Sequence, residues 1–336
     1  MRNAPSRTAG ETRATLWRHG QSEHQNEHSS RAISSVADVS LALVVILACV
    51  ALFVAFLDTE ENHHDPDETA HTAETLGSST LSVTYSVESA LETTSEHIDD
   101  ENIDSDDLTR AAHGPMAGLL ARGAVTDARF DTEDGVVRPL GVGDDYPETV
   151  TDRLAGSLAG ANHETNVTAV WEPFAGSSVR GTIHAGDPPP HNTDTTVVTT
   201  TVASGLPAVR TDAIARVENQ TAGYETVARL VAEAIVNETF TDAQRALESR
   251  GVERAVTLSQ YLRFADAIGI DPEYASATPD LSRHHVDTAA MNAHLVNTLS
   301  AQFAHSLEET FDTPERAAES VSTGEVTVSV TTWGTA

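Results

Sequence analysis

Hydrophobic positions follow three different patterns along the chain. The first is an unbroken apolar run, Val39 to Leu57, without a charged residue and with acids at both borders. At about 1.5 Å per helical residue, its 19 positions extend over roughly 28 Å, close to the ~30 Å hydrocarbon core of a bilayer. Because backbone groups inside lipid must hydrogen-bond within their own segment, the run predicts a transmembrane helix over residues 38–58.

The second pattern is an alternation of apolar and polar residues, which is typical of β-strands. It occurs in segments rich in Val, Thr and Ile that are separated by turn residues: 79–86, 165–174, 177–186, 193–205 and 325–333. In the last of them Val326, Val328 and Val330 fall on one face, and the polar residues between them fall on the other. These segments predict a small antiparallel sheet to which the C-terminal segment adds a strand.

The third pattern places apolar residues at helical spacing. It predicts amphipathic helices over 224–248 and 252–267, and a longest helix over 281–311. With the strands, these helices predict an α+β fold for a domain over residues 79–336. Residues 59–78 are acid-rich and carry few large apolar side chains, so we expect an acidic stalk there.

Charge indicates the environment of the protein. The formal net charge is −31, and all 20 basic residues are arginine. So acidic a surface repels itself in dilute buffer, whereas at molar salt the Debye length falls to about 3 Å. The composition therefore predicts a halophilic, haloarchaeal protein. It also argues against nucleic acid as a partner, because no basic patch is present to neutralise phosphates.

The distribution of charge about the apolar run predicts its orientation. Residues 1–37 contain five arginines, whereas residues 58–107 contain 16 acids and no arginine. By the positive-inside rule, residues 1–37 form a cytoplasmic tail and the C-terminal domain lies outside the cell. We therefore expect a single-pass protein of the cell membrane, with the lipid bilayer as its first partner.

The entry to the apolar run, Ser30 to Val36 (SRAISSV), resembles the N-terminus of archaeal type IV pilins. That resemblance implies cleavage by a prepilin peptidase between Ala32 and Ile33, with Arg31 as the preceding basic residue. The chain departs from the pattern at the fifth mature position, where pilins often carry Glu and this chain has Ala37. The alternative is that Arg31 is the flanking charge of a permanent anchor.

A longer set of motifs resembles a haloarchaeal family of single-pass membrane proteins of unknown function. These motifs are WEPFAGSSVRGTIHAG (171–186), DPPP (187–190) and VASGLP (202–207), behind RAISSVADVSLAL. The resemblance implies a location and partners, namely membrane proteins of a type IV pilus or a secretion-like system. It implies no activity, cofactor or oligomeric state.

Candidate chemistry lies on the longest predicted helix and in the stalk. Asp287, Met291, His294, Thr298 and His305 share one helix face, with His284 and His285 near its start. The stalk carries a second set of candidate ligands: His63, His64, Asp65, Asp67 and His71. These residues define an alternative function, a membrane-tethered metal-binding protein or hydrolase. Solvent-facing histidines on an amphipathic helix explain the first set equally well, and a solvated acidic linker explains the second set more simply. We favour these explanations and predict no catalytic residue, cofactor or metal.

Two further motifs differ in whether they support a function: the first does not support an active site, and the second supports an extracellular location. Arg18-His19-Gly20 resembles the signature of histidine phosphatases, but no convincing strand precedes it and the apolar run follows within twenty residues. Three N-x-T sequons, at Asn166, Asn219 and Asn237, all lie beyond the apolar run, as expected of a glycosylated surface protein. The sequence therefore predicts a non-enzymatic, membrane-anchored extracellular protein, either a pilin-like subunit or an accessory factor.

Overall fold

The computed structural model describes residues 46, 66–94, 105–132, 135–141, 143, 145–158, 163–220, 223–271, 281–282 and 285–334. By its internal contacts the chain divides into two units, Met1–His63 and His64–Ala336. All the elements below belong to the second unit. It is a mixed α+β fold, as predicted from the sequence.

Four antiparallel strands form the main sheet, in the order β6-β5-β10-β7. Three pairs of shorter strands, β1–β2, β3–β4 and β8–β9, form separate antiparallel hairpins or ribbons. The strands are β1 (Thr80–Ser86), β2 (Thr109–Pro115), β3 (Phe130–Thr132), β4 (Gly135–Val137), β5 (His163–Trp171), β6 (Gly181–Ala185), β7 (Thr196–Ala203), β8 (Leu281–Ser282), β9 (His285–Val286) and β10 (Glu325–Gly334).

Ten helices surround these strands in the described part of the chain. They are α1 (Pro66–Ser78), α2 (Glu88–Thr94), α3 (Met116–Thr126), α4 (Tyr146–Leu158), α5 (Arg210–Gln220), α6 (Tyr224–Thr239), α7 (Ala243–Glu248), α8 (Val252–Ala267), α9 (Thr288–Thr310) and α10 (Pro314–Glu319). Helices α1, α3 and α4 pack on one face of the main sheet, and α6 packs along α9.

The alternation of β10 decides which face of the sheet is covered. Val326, Val328 and Val330 are at most 1% exposed and face the helices, as predicted from the period of two. Residues of the opposite face remain partly or fully exposed on β7 and at Thr327, Ser329 and Thr331. The main sheet therefore has one face in the core and one face open.

The C-terminal strand lies inside the sheet. Thr327 to Gly334 pair with β5, and Glu325 to Thr332 pair with β7. The sequence predicts a strand added by the C-terminus, and the structure places that strand between two others. Trp171 Nε1 and Ser204 Oγ both donate to the Thr323 carbonyl, at 3.0 and 2.7 Å, so the approach to β10 is tied to both neighbouring strands.

Residues 66–78 differ from the prediction of a solvated stalk. They form α1, whose Leu76 is 1% exposed and whose Thr69 hydroxyl lies 2.5 Å from that of Thr332 in β10. Leu76 and the paired hydroxyls of Thr69 and Thr332 thus hold the helix against the sheet. Acids such as Glu68 and Glu74 line its exposed side.

Two of the predicted helices have different bounds. The predicted helix over 224–248 is divided into α6 and α7 by a turn at residues 240–242. Phe240 in this turn is buried, and its ring stacks on that of Tyr261 with 3.8 Å between the ring centroids. The predicted helix over 281–311 begins at Thr288, because Asp287 Oδ1 accepts a hydrogen bond from Ala290 N and caps the helix there. It is still the longest helix described. Helix α8 has the predicted bounds.

Within the described residues, no helix is both long and apolar enough to cross a bilayer. The predicted span of residues 38–58 lies outside that part of the chain, Ile46 apart.

Candidate functional site

The predicted polar face of α9 does not converge on one point. Asp287 is engaged in capping the helix, and Met291 is 3% exposed in the core. His294 and His305 are exposed, and His305 Nε2 lies 3.4 Å from Glu309 Oε1, one turn further along the same helix. These side chains therefore serve the cap, the core and the solvated surface separately.

The second set of candidate ligands is divided between described and undescribed residues. His71 lies exposed on α1, whereas His63, His64 and Asp65 lie outside the described residues, as do His284, the Arg18–Gly20 motif and the cleavage site at Arg31, Ala32 and Ile33. The described residues contain no group of three or more His, Cys, Asp or Glu side chains that could hold a metal ion.

The three sequons have different environments. Asn219 and Asn237 are exposed on α5 and α6. Asn166 lies in β5 with 8% exposure, and its Nδ2, the atom to which a glycan attaches, donates to the Gly186 carbonyl at 2.9 Å. Asn219 and Asn237 therefore lie at the surface of the folded chain, although Asn219 Nδ2 donates to the Ala215 carbonyl at 2.6 Å, whereas Asn166 is buried in the sheet.

A polar groove, which the sequence did not indicate, lies between α4 and the ends of β5 and β6. It has a volume of about 510 Å³. Its lining residues are Thr151, Asp152, Ala155, Leu158, His163, Glu164, Thr165, His184, Gly186 and Asp187. Three carboxylates and two imidazoles thus come together from three segments, 151–158, 163–165 and 184–187, so no single local motif could reveal the groove.

Contacts at the groove floor are mainly structural. His163 is buried against α1, with Nδ1 3.4 Å from Glu68 Oε1 and Nε2 3.3 Å from Thr72 Oγ1. The buried Thr165 hydroxyl has no hydrogen-bond partner in the part of the chain that the structure describes. With three carboxylates on its walls, the groove is suited to a cationic group rather than an anion.

A hydroxyl–imidazole pair beside the groove has a hydrogen-bond direction that does not suit a nucleophile. Thr168 Oγ1 donates to Asn166 Oδ1 at 3.2 Å. Its single proton is thereby used, so it accepts from His184 Nδ1 at 3.0 Å. A nucleophilic hydroxyl needs the reverse arrangement, in which the imidazole accepts the proton. The pair is therefore a cross-strand contact on the open face.

A buried carboxylate secures the outer edge of β6. Asp127 is 3% exposed at the end of α3 and accepts from Arg138 Nε at 3.0 Å and from Arg129 Nη2 at 3.2 Å. Its Oδ2 also accepts from the Thr182 backbone N–H in β6, at 3.4 Å. The adjoining backbone pair joins Arg129 N–H to the Arg180 carbonyl at 3.0 Å. This cluster satisfies backbone groups that an edge strand would otherwise leave open.

Two tyrosines have raised pKa values because they are buried. Burial raises the pKa of Tyr146 to about 12, partly opposed by the positive charge of Arg122 and slightly aided by Tyr85. Burial also raises the pKa of Tyr261, whose hydroxyl donates to Asn292 Oδ1 at 2.6 Å. Neither tyrosine lines the groove, so both shifts belong to the core.

Comparison with known proteins gives one result. Neither the curated proteins nor the solved structures contain a match to the chain. A family match extends over residues 37–333, and so includes the apolar run, all the described elements from α1 to α10 and most of β10. The family carries the description "Family of unknown function (DUF7284)". The chain therefore belongs to this family of unknown function.

Proposed function

We propose that the chain is a non-enzymatic, single-pass membrane protein that holds the folded unit outside the cell, as a pilin-like subunit or an accessory factor of a type IV pilus or secretion-like system. The observation that carries this proposal is the uncharged apolar run Val39–Leu57, with arginines before it and acids after it. The family match begins at Ala37, so the run belongs to the part that the family shares.

The features of the folded unit are compatible with a surface protein in strong salt. Its two exposed sequons, at Asn219 and Asn237, lie beyond the apolar run. The net charge of −31 suits an environment in which charges are screened. Within the described residues, no group of three or more metal-ligating side chains supports the alternative of a metal-binding protein or hydrolase, and His294 and His305 lie exposed along α9.

The first experiment is intact-mass analysis and N-terminal sequencing of the protein from washed membranes. We expect release by detergent and not by a change of salt. A mature N-terminus at Ile33 would establish pilin-like processing, and an intact tail would establish a permanent anchor. Recovery of the full chain in the soluble fraction would contradict the proposal.

A charge in the middle of the run tests the anchor directly. Ala48→Arg costs about 2.5–3.5 kcal/mol of insertion free energy at a helix centre, so we expect a marked loss from the membrane fraction. Ala48→Leu is the matched control and should remain inserted.

Glycan mapping of the wild-type protein from membranes tests the orientation, and we expect sugar on Asn219 and Asn237 and none on Asn166.

A further inference from the structure

Strand β7 forms one edge of the main sheet, and no other described strand pairs with its outer side. It is the last strand in the order β6-β5-β10-β7 and pairs with β10 on one side only. Across 197–203, the described residues provide no backbone hydrogen bond to the outer side of the strand. Five of its eight residues are exposed and none is buried, and Val197 is 55% exposed.

The composition of β7 is unusual for such an edge. Natural edge strands are protected by charges, proline, bulges or short length, because their free N–H and C=O groups pair with other strands. Strand β7 has eight residues, of which seven are β-branched and none is charged or proline. It therefore has high strand propensity and no protection against pairing.

The absence of charge extends along the chain around β7. Residues 195–209 carry no ionisable group, in a protein of net charge −31. The next charge, Arg210, pairs with Glu325 Oε2 at 2.7 Å. A second copy can therefore approach β7 without bringing like charges of residues 195–209 together.

We propose that β7 pairs in antiparallel fashion with β7 of a second copy, which joins two four-stranded sheets into one of eight strands. In a twofold arrangement the strand is its own partner, and its Val and Thr residues lie opposite Val and Thr residues. Val197, Thr199 and Thr201 share the open face with Thr331, Ser329 and Thr327 of β10, so pairing extends that face across both copies. Molar salt favours this association by screening the repulsion between the two acidic surfaces.

Cysteine cross-linking of the full chain at molar KCl tests the pairing. The only native cysteine, Cys49, is first replaced by serine. Single cysteines are then placed at Val198, Thr199, Thr200 and Thr201 in turn. A disulfide requires Cα atoms about 4.4–6.8 Å apart, so we expect a covalent dimer that is strongest at one position, near the twofold axis, and weaker on either side.

Two control positions separate pairing from random collision. Thr327→Cys lies on the same open face but on the interior strand β10, and His184→Cys is exposed on β6 at the other edge. We expect little dimer from either. Equal yields at all positions, or no dimer at any position of β7, would overturn the proposal.

A charge exchange identifies the occupant as a second copy. Thr199→Arg or Thr199→Glu alone should lower the dimer fraction several-fold, because each variant places like charges across the pair. Mixing the two variants should restore a heterodimer, since the charges are then opposite. Failure of the mixture to associate, or cross-linking of β7 to a different polypeptide, would refute pairing with a second copy. The outcome is independent of the membrane anchor, which the Ala48 variants test separately.

Discussion

The two edges of the main sheet differ in how their backbone groups are satisfied. At β6, the loop after α3 reaches over the edge, where Arg129 N–H pairs with Arg180 and Asp127 accepts from Thr182. Helices α3 and α4 pack against the same strand. At β7, helices α1 and α3 also pack against the strand, but the described residues provide no hydrogen bond to the outer backbone groups of 197–203, and the side chains are uncharged and mostly exposed.

The outer backbone groups of an edge strand can be satisfied by contacts within the same chain, as at β6, or by pairing with another chain, as we propose for β7. Closure at β6 uses a buried carboxylate and a tight backbone approach, both sensitive to substitution. The exposed side chains of β7 make few contacts within the described chain, so we expect substitutions at them to act mainly on association. Four substitutions measured by unfolding of the full chain in detergent at molar KCl distinguish these roles.

The largest effect is expected from Gly181→Ala in β6. A Cβ at this position would lie 1.8 Å from the Ala124 carbonyl oxygen and 2.9 Å from the Ala128 nitrogen. Both neighbours are backbone atoms and cannot move aside, so we expect a loss of about 3 kcal/mol in unfolding free energy. The control on β7 is Ala203→Val, for which we expect little change. An unchanged melting temperature for Gly181→Ala would show that the contact between α3 and β6 is loose.

Asp127→Ala should lower the unfolding free energy by about 2 kcal/mol. The variant loses hydrogen bonds from Arg129, Arg138 and the Thr182 backbone. The two guanidinium groups are 51% and 41% exposed and remain solvated, which keeps the cost below that of isolating a buried charge. Asp194→Ala removes an exposed carboxylate just before β7 and is the control. Equal stability of the two variants would contradict a role for Asp127 at the edge.

Tyr146, at the start of α4, should make the unfolding free energy fall at alkaline pH. Its pKa is raised to about 12 in the folded chain, above the unfolded value near 10. The corresponding stability is fully present below pH 10 and is lost as the pH rises from about 10 to 12. At pH 11 we expect the wild type to lose about 1.4 kcal/mol relative to Tyr146→Phe.

The same variant has a built-in control at pH 8. The buried Tyr146 hydroxyl has no hydrogen-bond partner among the described residues, so Tyr146→Phe should at pH 8 be at least as stable as the wild type. Parallel stability curves for the two proteins between pH 8 and pH 11 would mean that Tyr146 ionises freely.

The smallest effect on unfolding is expected from Thr199→Arg in β7. The side chain is exposed on the open face, so the change should lie within about 0.5 kcal/mol at concentrations where single copies dominate. Its effect on the cross-linked dimer should be much larger. A strong loss of stability in the single copy would show that β7 is supported by contacts other than those with β10.

Local patterns predicted the parts of the fold that depend on neighbouring residues. The alternation of Val326, Val328 and Val330 gave the buried face of β10, and helical spacing gave the bounds of α8. The acidic composition of residues 59–78 led to the prediction of a stalk. Helix α1 instead packs on the sheet through a few residues, Leu76 and Thr69 among them, which an average over the segment conceals.

The candidate sites show the same limit. Helical spacing correctly placed His294 and His305 on α9, but it could not show that they remain apart on an exposed surface. The sequon at Asn166 was visible as a triplet, whereas its burial follows from the contact with Gly186, twenty residues away. The groove and the Asp127 cluster depend on segments joined only by folding.

By itself, the sequence determined the apolar run with its charge asymmetry, the periods of the strands and helices, and the acidic surface. These are properties of residues close together in the chain, and they follow from hydrophobicity and backbone geometry. Tertiary structure decided that the C-terminal strand lies between β5 and β7, that β6 is closed by the loop after α3 and that β7 ends the sheet among the described strands. Strand order and edge protection depend on which distant segments pair, because a strand's own side chains specify its faces but not its neighbours.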